Sequence, residues 1–157
     1  MARPIYAQLS LPALRANLSR ARALAPETQL MAVVKANAYG HGLSRVLPAL
    51  AEADGLALIE PDAAIALRAE RYVRRILLLE GFFAPDELSE ISARRLAVVV
   101  HNDGQLGMLE LAKLGRPLEV FVKINSGMIR LGIAPSDVTR VVERLNHCES
   151  VAVLRLM

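Results

Sequence analysis

A single cysteine, Cys148, stands among 157 residues. One thiol cannot staple a chain, so a packed core must hold the fold, and such sparse cysteine fits a reducing cytosol. Tryptophan is absent and aromatics make up only 4%. With no Lys/Arg run either, the chain lacks the stacking platform and basic tract that bind nucleic acid. No sign of charge dominates: 19 basic residues face 16 acidic ones, a net of +3. The longest apolar runs fall far short of the ~20 residues of a membrane span. The start, Met-Ala-Arg-Pro, has no apolar stretch of the signal-peptide kind. Three scattered histidines and one cysteine make no metal-ligand spacing, which argues against a zinc site. What is present is apolar content, 54% hydrophobic against 22% charged. That suffices for one sizeable core in about one domain and excludes disorder. These bounds lead us to expect a globular cytoplasmic protein without nucleic-acid or membrane partners.

Lysine is scarce too. Sixteen of the 19 cationic residues are Arg, and the lysines are Lys35, Lys113 and Lys123. In a chain that solvates its surface with arginine, a lysine is informative. Lys113 falls in a helical pattern and reads as a surface residue, whereas Lys35 and Lys123 lie at or near the ends of apolar runs.

Those runs recur: Leu30–Val34, Leu56–Ile59, Ile76–Leu79, Leu96–Val100, Val120–Ile124 and Val151–Met157. Short, nearly continuous apolar segments describe strands buried on both faces. Helical spacing separates them, over 11–24, 43–53, 62–71, 85–92, 103–114 and 136–145. Ser10 with Pro12 marks the first helix start, Asp62 and Asp103 are candidate N-caps, and Gly115 is a candidate stop. Strands about 20–30 residues apart, each followed by a helix, imply right-handed crossovers and a parallel sheet. A dinucleotide-binding sheet needs G-x-G-x-x-G after its first strand, and Lys-Ala-Asn-Ala-Tyr-Gly-His-Gly does not match. A (β/α)8 TIM-type barrel is therefore favoured over an open doubly wound sheet. Six strands cannot close that barrel, and the chain stops on an apolar run. We therefore expect a truncated barrel, cut after strand six.

In either architecture ligands bind at the carboxyl ends of the strands. Polar residues gather there: Lys35, Asn37, Tyr39 and His41 after the first run, Glu60 after the second, His101 and Asn102 after the fourth, and Lys123, Asn125, Ser126 and Arg130 around the fifth. Lys35 is the sharpest candidate, since an amine at the mouth of an apolar strand is partly desolvated and suited to Schiff-base chemistry. The alternative is a lysine that snorkels to solvent. Two nearby glycines would let backbone approach an anion, and Tyr39 offers it a hydroxyl. A phosphate beside a Schiff-base lysine points to pyridoxal phosphate. His41 reads as loop support, and His101 and Asn102 as capping contacts.

The run Ala32 to Gly42, Ala-Val-Val-Lys-Ala-Asn-Ala-Tyr-Gly-His-Gly, resembles the cofactor-attachment signature of alanine racemases. Lys123 to Gly132, Lys-Ile-Asn-Ser-Gly-Met-Ile-Arg-Leu-Gly, resembles their second hallmark. The resemblance implies a pyridoxal 5'-phosphate-binding barrel domain over 1–157, lacking the C-terminal β domain that follows it in the family, and a homodimer for the full-length protein. It makes Lys35 the lysine that holds the cofactor as an aldimine and the base on one face of the substrate Cα. Tyr39 would donate to the cofactor phosphate. Arg130 would face the phenolic oxygen and the substrate carboxylate. Lys123, carbamylated in many members, would hold Arg130 in place. The implied reaction is interconversion of L- and D-alanine by two bases, supplying D-alanine for peptidoglycan. The second base, a tyrosine of the partner subunit in the family, matches neither Tyr6 nor Tyr72. A fragment with one base would be inactive. The rival readings are a non-catalytic pyridoxal-phosphate carrier, which lacks both signatures, a related decarboxylase, disfavoured for the same reason, and a racemase of another small amino acid such as serine.

Overall fold

A computed structural model describes residues 3–157; Met1 and Ala2, at the start of the expected domain, lie outside the described residues. After an irregular arm, α1 runs Leu11–Leu24. Its start is as the sequence predicts: Ser10 Oγ accepts from the Ala13 N–H at 3.3 Å, and Pro12 sits in the first turn, where no intrahelical donor is needed. Strands and helices then alternate. They are β1 (Met31–Val33), the short turn α2 (Lys35–Tyr39), α3 (Leu43–Val46) running into a 3-10 turn at Leu47–Leu50, β2 (Gly55–Leu58), α4 (Pro61–Ala69), β3 (Arg75–Leu78), α5 (Glu87–Ala93), β4 (Ala97–Val100), α6 (Asp103–Leu111), β5 (Leu118–Val122), α7 (Val138–Asn146) and β6 (Val151–Leu156).

Every pairing is parallel, and the spatial order is β1-β2-β3-β4-β5-β6. A doubly wound sheet reverses its order at a switch point. This sheet never does. The stepwise order is that of a (β/α) barrel, here an unclosed six-stranded segment of one.

The two faces confirm it. Leu56, Leu58, Ile76, Leu78, Val98, Val100, Val120 and Val122 pack with helix residues such as Ala64, Leu67, Leu88, Leu106, Leu109 and Leu145 in one core. The alternate strand residues Ala57, Leu77, Ala97 and Val99 form a second, smaller cluster with Met31, Leu79 and Phe121, containing no helix residue. Helices thus cover one face of the sheet, and the other becomes the barrel interior. Burial on both faces explains the continuous apolar runs; each fully buried Leu or Ile contributes roughly 1.5–3 kcal/mol.

The helix-start expectations need correcting. Asp103 does not cap α6: Asn102 does, its Oδ1 accepting from the Gln105 N–H at 2.9 Å, while Asp103 pairs with Arg140 at 2.8 Å. Asp62 lies inside the first turn of α4 rather than before it. Gly115 stands beyond the end of α6, which stops at Leu111.

At the amino ends of the strands the interior is ionic. Glu119 bridges Arg75 and Arg155, and Arg75 also donates to Gln29. Nearby, the Arg68 guanidinium donates to the carbonyls of Tyr72, Arg74, Arg94 and Arg95. It stitches the C-terminal ends of α4 and α5 together, where the helix dipoles favour a cation. Burial pushes the ionisation of Arg68 down and that of the Tyr72 hydroxyl up. No described helix is long and apolar enough to cross a membrane.

Candidate active site

The site begins where β1 leaves the sheet. Val34 is buried, and its N–H donates to Ala57 O at 2.8 Å. Lys35, half-buried, comes next. The four residues after it, Ala36, Asn37, Ala38 and Tyr39, have φ of 51°, 52°, 56° and 56°. A left-handed residue other than Gly or Asn costs ~1–2 kcal/mol, so Ala36, Ala38 and Tyr39 together store about 3–6 kcal/mol. Such strain persists only where surrounding structure enforces it, and it clusters at functional sites. Here Ala38 is buried, and backbone bonds of 2.9 Å run from Ala38 N to Val34 O, from Gly40 N to Ala36 O and from Gly42 N to Asn37 O. Asn37 Oδ1 accepts from Leu43 N at 2.7 Å, and Glu60 Oε1 accepts from Ala36 N at 2.8 Å. Gly40 and Gly42 have φ of +82° and +91°. A Cβ on Gly40 would meet nothing within 4 Å, so its conformation, rather than close approach within this chain, requires glycine there.

The ends of β3 and β4 are tied by Gln105. Buried on α6, it donates to Glu80 O at 2.8 Å and Phe82 O at 3.0 Å and accepts from His101 N at 3.0 Å. His101 Nε2 lies 3.2 Å from Glu80 O. Asn102 thus caps α6, as expected, while the His101 ring contacts the Glu80 carbonyl instead of a helix end. Gly81 is required outright, because an added Cβ would lie 2.2 Å from Val99 O at a φ of +73°.

After β5 the chain makes a pinched loop. Lys123 N donates to Val100 O, Ile133 N to Lys123 O and Asn125 N to Ile133 O, closing the base at 2.8–2.9 Å. Asn125 Oδ1 accepts from Ile129 N at 2.9 Å. Lys123 is half-buried at the base, and Arg130 is exposed near the tip, beside Ile129 at φ +52°.

The structure therefore places Lys35 and Tyr39 in one turn and Lys123 and Arg130 in one loop, all at the carboxyl-terminal side of the sheet. Among the described residues no hydrogen bond or ion pair joins the two groups, and none joins Lys123 to Arg130. Tyr39, 60% exposed, borders a small cavity of about 260 Å³ with Val33, Ala38, His41 and residues of α1. A larger cavity of about 900 Å³, lined by Arg71, Arg95 and Arg116 among others, opens at the amino ends of the strands, the wrong end for barrel chemistry. Sequence reasoning noticed Glu60 only as a polar strand end. Its signal was an acid directly after an apolar run and before a proline. Gln105 gave none, being hidden in a helical pattern.

A stepwise parallel sheet with one helix-covered face and polar groups gathered at the strand carboxyl ends defines part of a (β/α)-barrel domain. Residues 9–157 match the family model described as alanine racemase, N-terminal domain. The alanine racemase of Nitrosospira multiformis is 50% identical over 157 residues, which is 100% of this chain and 44% of that protein. The catabolic alanine racemase of Klebsiella aerogenes is 46% identical with the same coverage of each chain. The crystal structure of the biosynthetic alanine racemase from Pseudomonas aeruginosa superposes with a TM-score of 0.87 at 41% identity, covering 93% of this chain and 41% of that one. The chain belongs to the alanine racemase family and corresponds to an N-terminal portion of its members. It spans 44% of the length of the curated relatives named here.

Proposed function

We propose that this chain supplies the cofactor-binding half of an alanine racemase that interconverts L- and D-alanine with pyridoxal 5'-phosphate and acts as a homodimer. Membership of the family and the strained turn that presents Lys35 support the reading. The residues fit the cofactor and its substrate: an amine, a phenol and a guanidinium at the strand carboxyl ends suit an aldehyde, a phosphate and a carboxylate. When bound, pyridoxal phosphate supplies a ring that makes the alanine Cα–H acidic.

The chain's own residues supply the binding groups and one of the two bases. Lys35 Nζ would hold the cofactor covalently and, once the alanine amino group has displaced it and left it a free amine, would move a proton to or from Cα on one face. The Tyr39 hydroxyl donates to the phosphate. The Arg130 guanidinium takes the substrate carboxylate in a two-pronged bond that an ammonium cannot make. Lys123, at the base of the same loop, steadies Arg130 once an anionic modification such as carbamylation reverses its charge. Racemisation also needs a proton carrier on the opposite face. Tyr72 is not that group, because it precedes β3 at the amino end of the sheet and its hydroxyl is buried. We assign the second base to protein outside this chain.

The single observation that carries the proposal is a lone lysine leaving β1 into four left-handed residues. Incubating the complete protein with pyridoxal phosphate, reducing with borohydride and mapping peptides should label Lys35. A label on Lys113 or Lys123 instead would overturn the assignment.

A further inference from the structure

We propose that Glu60 is a positioning residue for Lys35, its carboxylate replacing the β1–β2 ladder at the point where the lysine turns out of the sheet; this rests on Lys35 being the attachment residue. The strand register defines what the backbone would otherwise do. Val33 pairs with Ala57, and Val34 N–H donates to Ala57 O at 2.8 Å. One rung further, a parallel ladder joins Ile59 N–H to Val34 O and Ala36 N–H to Ile59 O. Neither bond is made. Val34 O accepts from Ala38 N–H of the left-handed turn instead, at 2.9 Å. Both freed donors go to one side chain: Ala36 N–H to Glu60 Oε1 at 2.8 Å, and Ile59 N–H to Glu60 Oε2 at 3.3 Å.

An ionised carboxylate presents two acceptor oxygens and no donor, which is the complement of two N–H groups side by side. The N–H groups of the residues before and after Lys35 are thereby held from the β2 side, that of Val34 by Ala57 O and that of Ala36 by the Glu60 carboxylate just past the strand. The strained turn needs such a hold. An amide in place of the carboxylate keeps one acceptor and sets an NH₂ against the other N–H; an alanine satisfies neither.

The test uses the complete protein with Glu60→Gln and Glu60→Ala, and Asp62→Asn as an exposed neighbouring control. Hydrogen exchange of the 34–42 peptide without cofactor reads the hold on the turn. Borohydride trapping of pyridoxal phosphate on Lys35 at a fixed, limiting cofactor concentration reads the aim of the amine. A thermal midpoint shows that each variant folds. Losing a charge-assisted bond corresponds to about 10–100-fold. We expect both Glu60 variants to exchange faster and to trap cofactor on Lys35 less efficiently by about that factor, with Asp62→Asn like wild type. Wild-type trapping in Glu60→Gln, whether or not exchange has quickened, overturns the positioning role. A wild-type protein that is never labelled on Lys35 overturns the attachment reading. The exchange comparison then still decides whether Glu60 holds the turn.

Discussion

Lys35, Arg130 and Lys123 carry the proposed chemistry, and among the described residues none has an acidic partner. Every ion pair among the described residues uses an arginine other than Arg130. Lys35 and Arg130 are left available to ligands and Lys123 to modification, which gives physical content to the scarcity of lysine in the sequence. Arg130 offers the sharpest single substitution. Arg130→Lys keeps the charge but loses the planar fork that meets a carboxylate with two bonds. Cofactor should stay bound in that variant of the complete protein while kcat/KM for alanine falls roughly 10–1,000-fold, or ~1.4–4 kcal/mol. Steady-state kinetics with wild-type values would remove Arg130 from the site.

Between elements, the contacts at the exposed ends of α6 and α7 are ionic. Arg140 donates to Asp103, and Arg144 donates to Glu110 at 2.6 and 2.8 Å. These bonds hold both carboxyls below their ordinary values, the arginine hydrogen bond being the main cause in each. Asp54 is lowered too, first by the Leu30 N–H and then by Arg22. A carboxyl whose folded value lies below its unfolded one binds more protons when unfolded, so its contribution is present at neutral pH. That contribution fades as pH falls through the depressed values. The double variant Asp103→Asn/Glu110→Gln should be less stable than wild type at neutral pH, and the gap should narrow at an acid pH below the depressed values. Urea midpoints at both pH values measure it, and a gap unchanged in acid would contradict the ion-pair account. The elements themselves were largely legible in the sequence. Each of the six strands falls within two residues of its apolar run, because strands buried on both faces leave no other pattern. The turn α2 was not legible: Ala-Asn-Ala-Tyr has no period, and of its four consecutive left-handed residues only Asn37 is of a type that favours that region. The cap of α6 went to Asn102 rather than Asp103, since the arginines of α7 draw the aspartate away.

At the scale of the molecule, the apolar runs left the barrel and the doubly wound sheet both open, and the strand order decided between them. The polar strand ends were legible as a set because sheet topology puts them on one side. What joins them was not, because Glu60 and Gln105 act on backbone groups whose positions depend on register and on a turn the sequence does not announce. The chemistry assigned to this arrangement reduces to one claim, that Lys35 moves a proton at the alanine Cα. The most direct test is chiral analysis of L-alanine incubated with the complete, cofactor-loaded protein and with its Lys35→Ala variant. The wild-type protein should form D-alanine until the enantiomers are equal, and the variant should form none above background. Turnover that survives Lys35→Ala, or a loaded wild-type protein that leaves L-alanine unchanged, would contradict the claim.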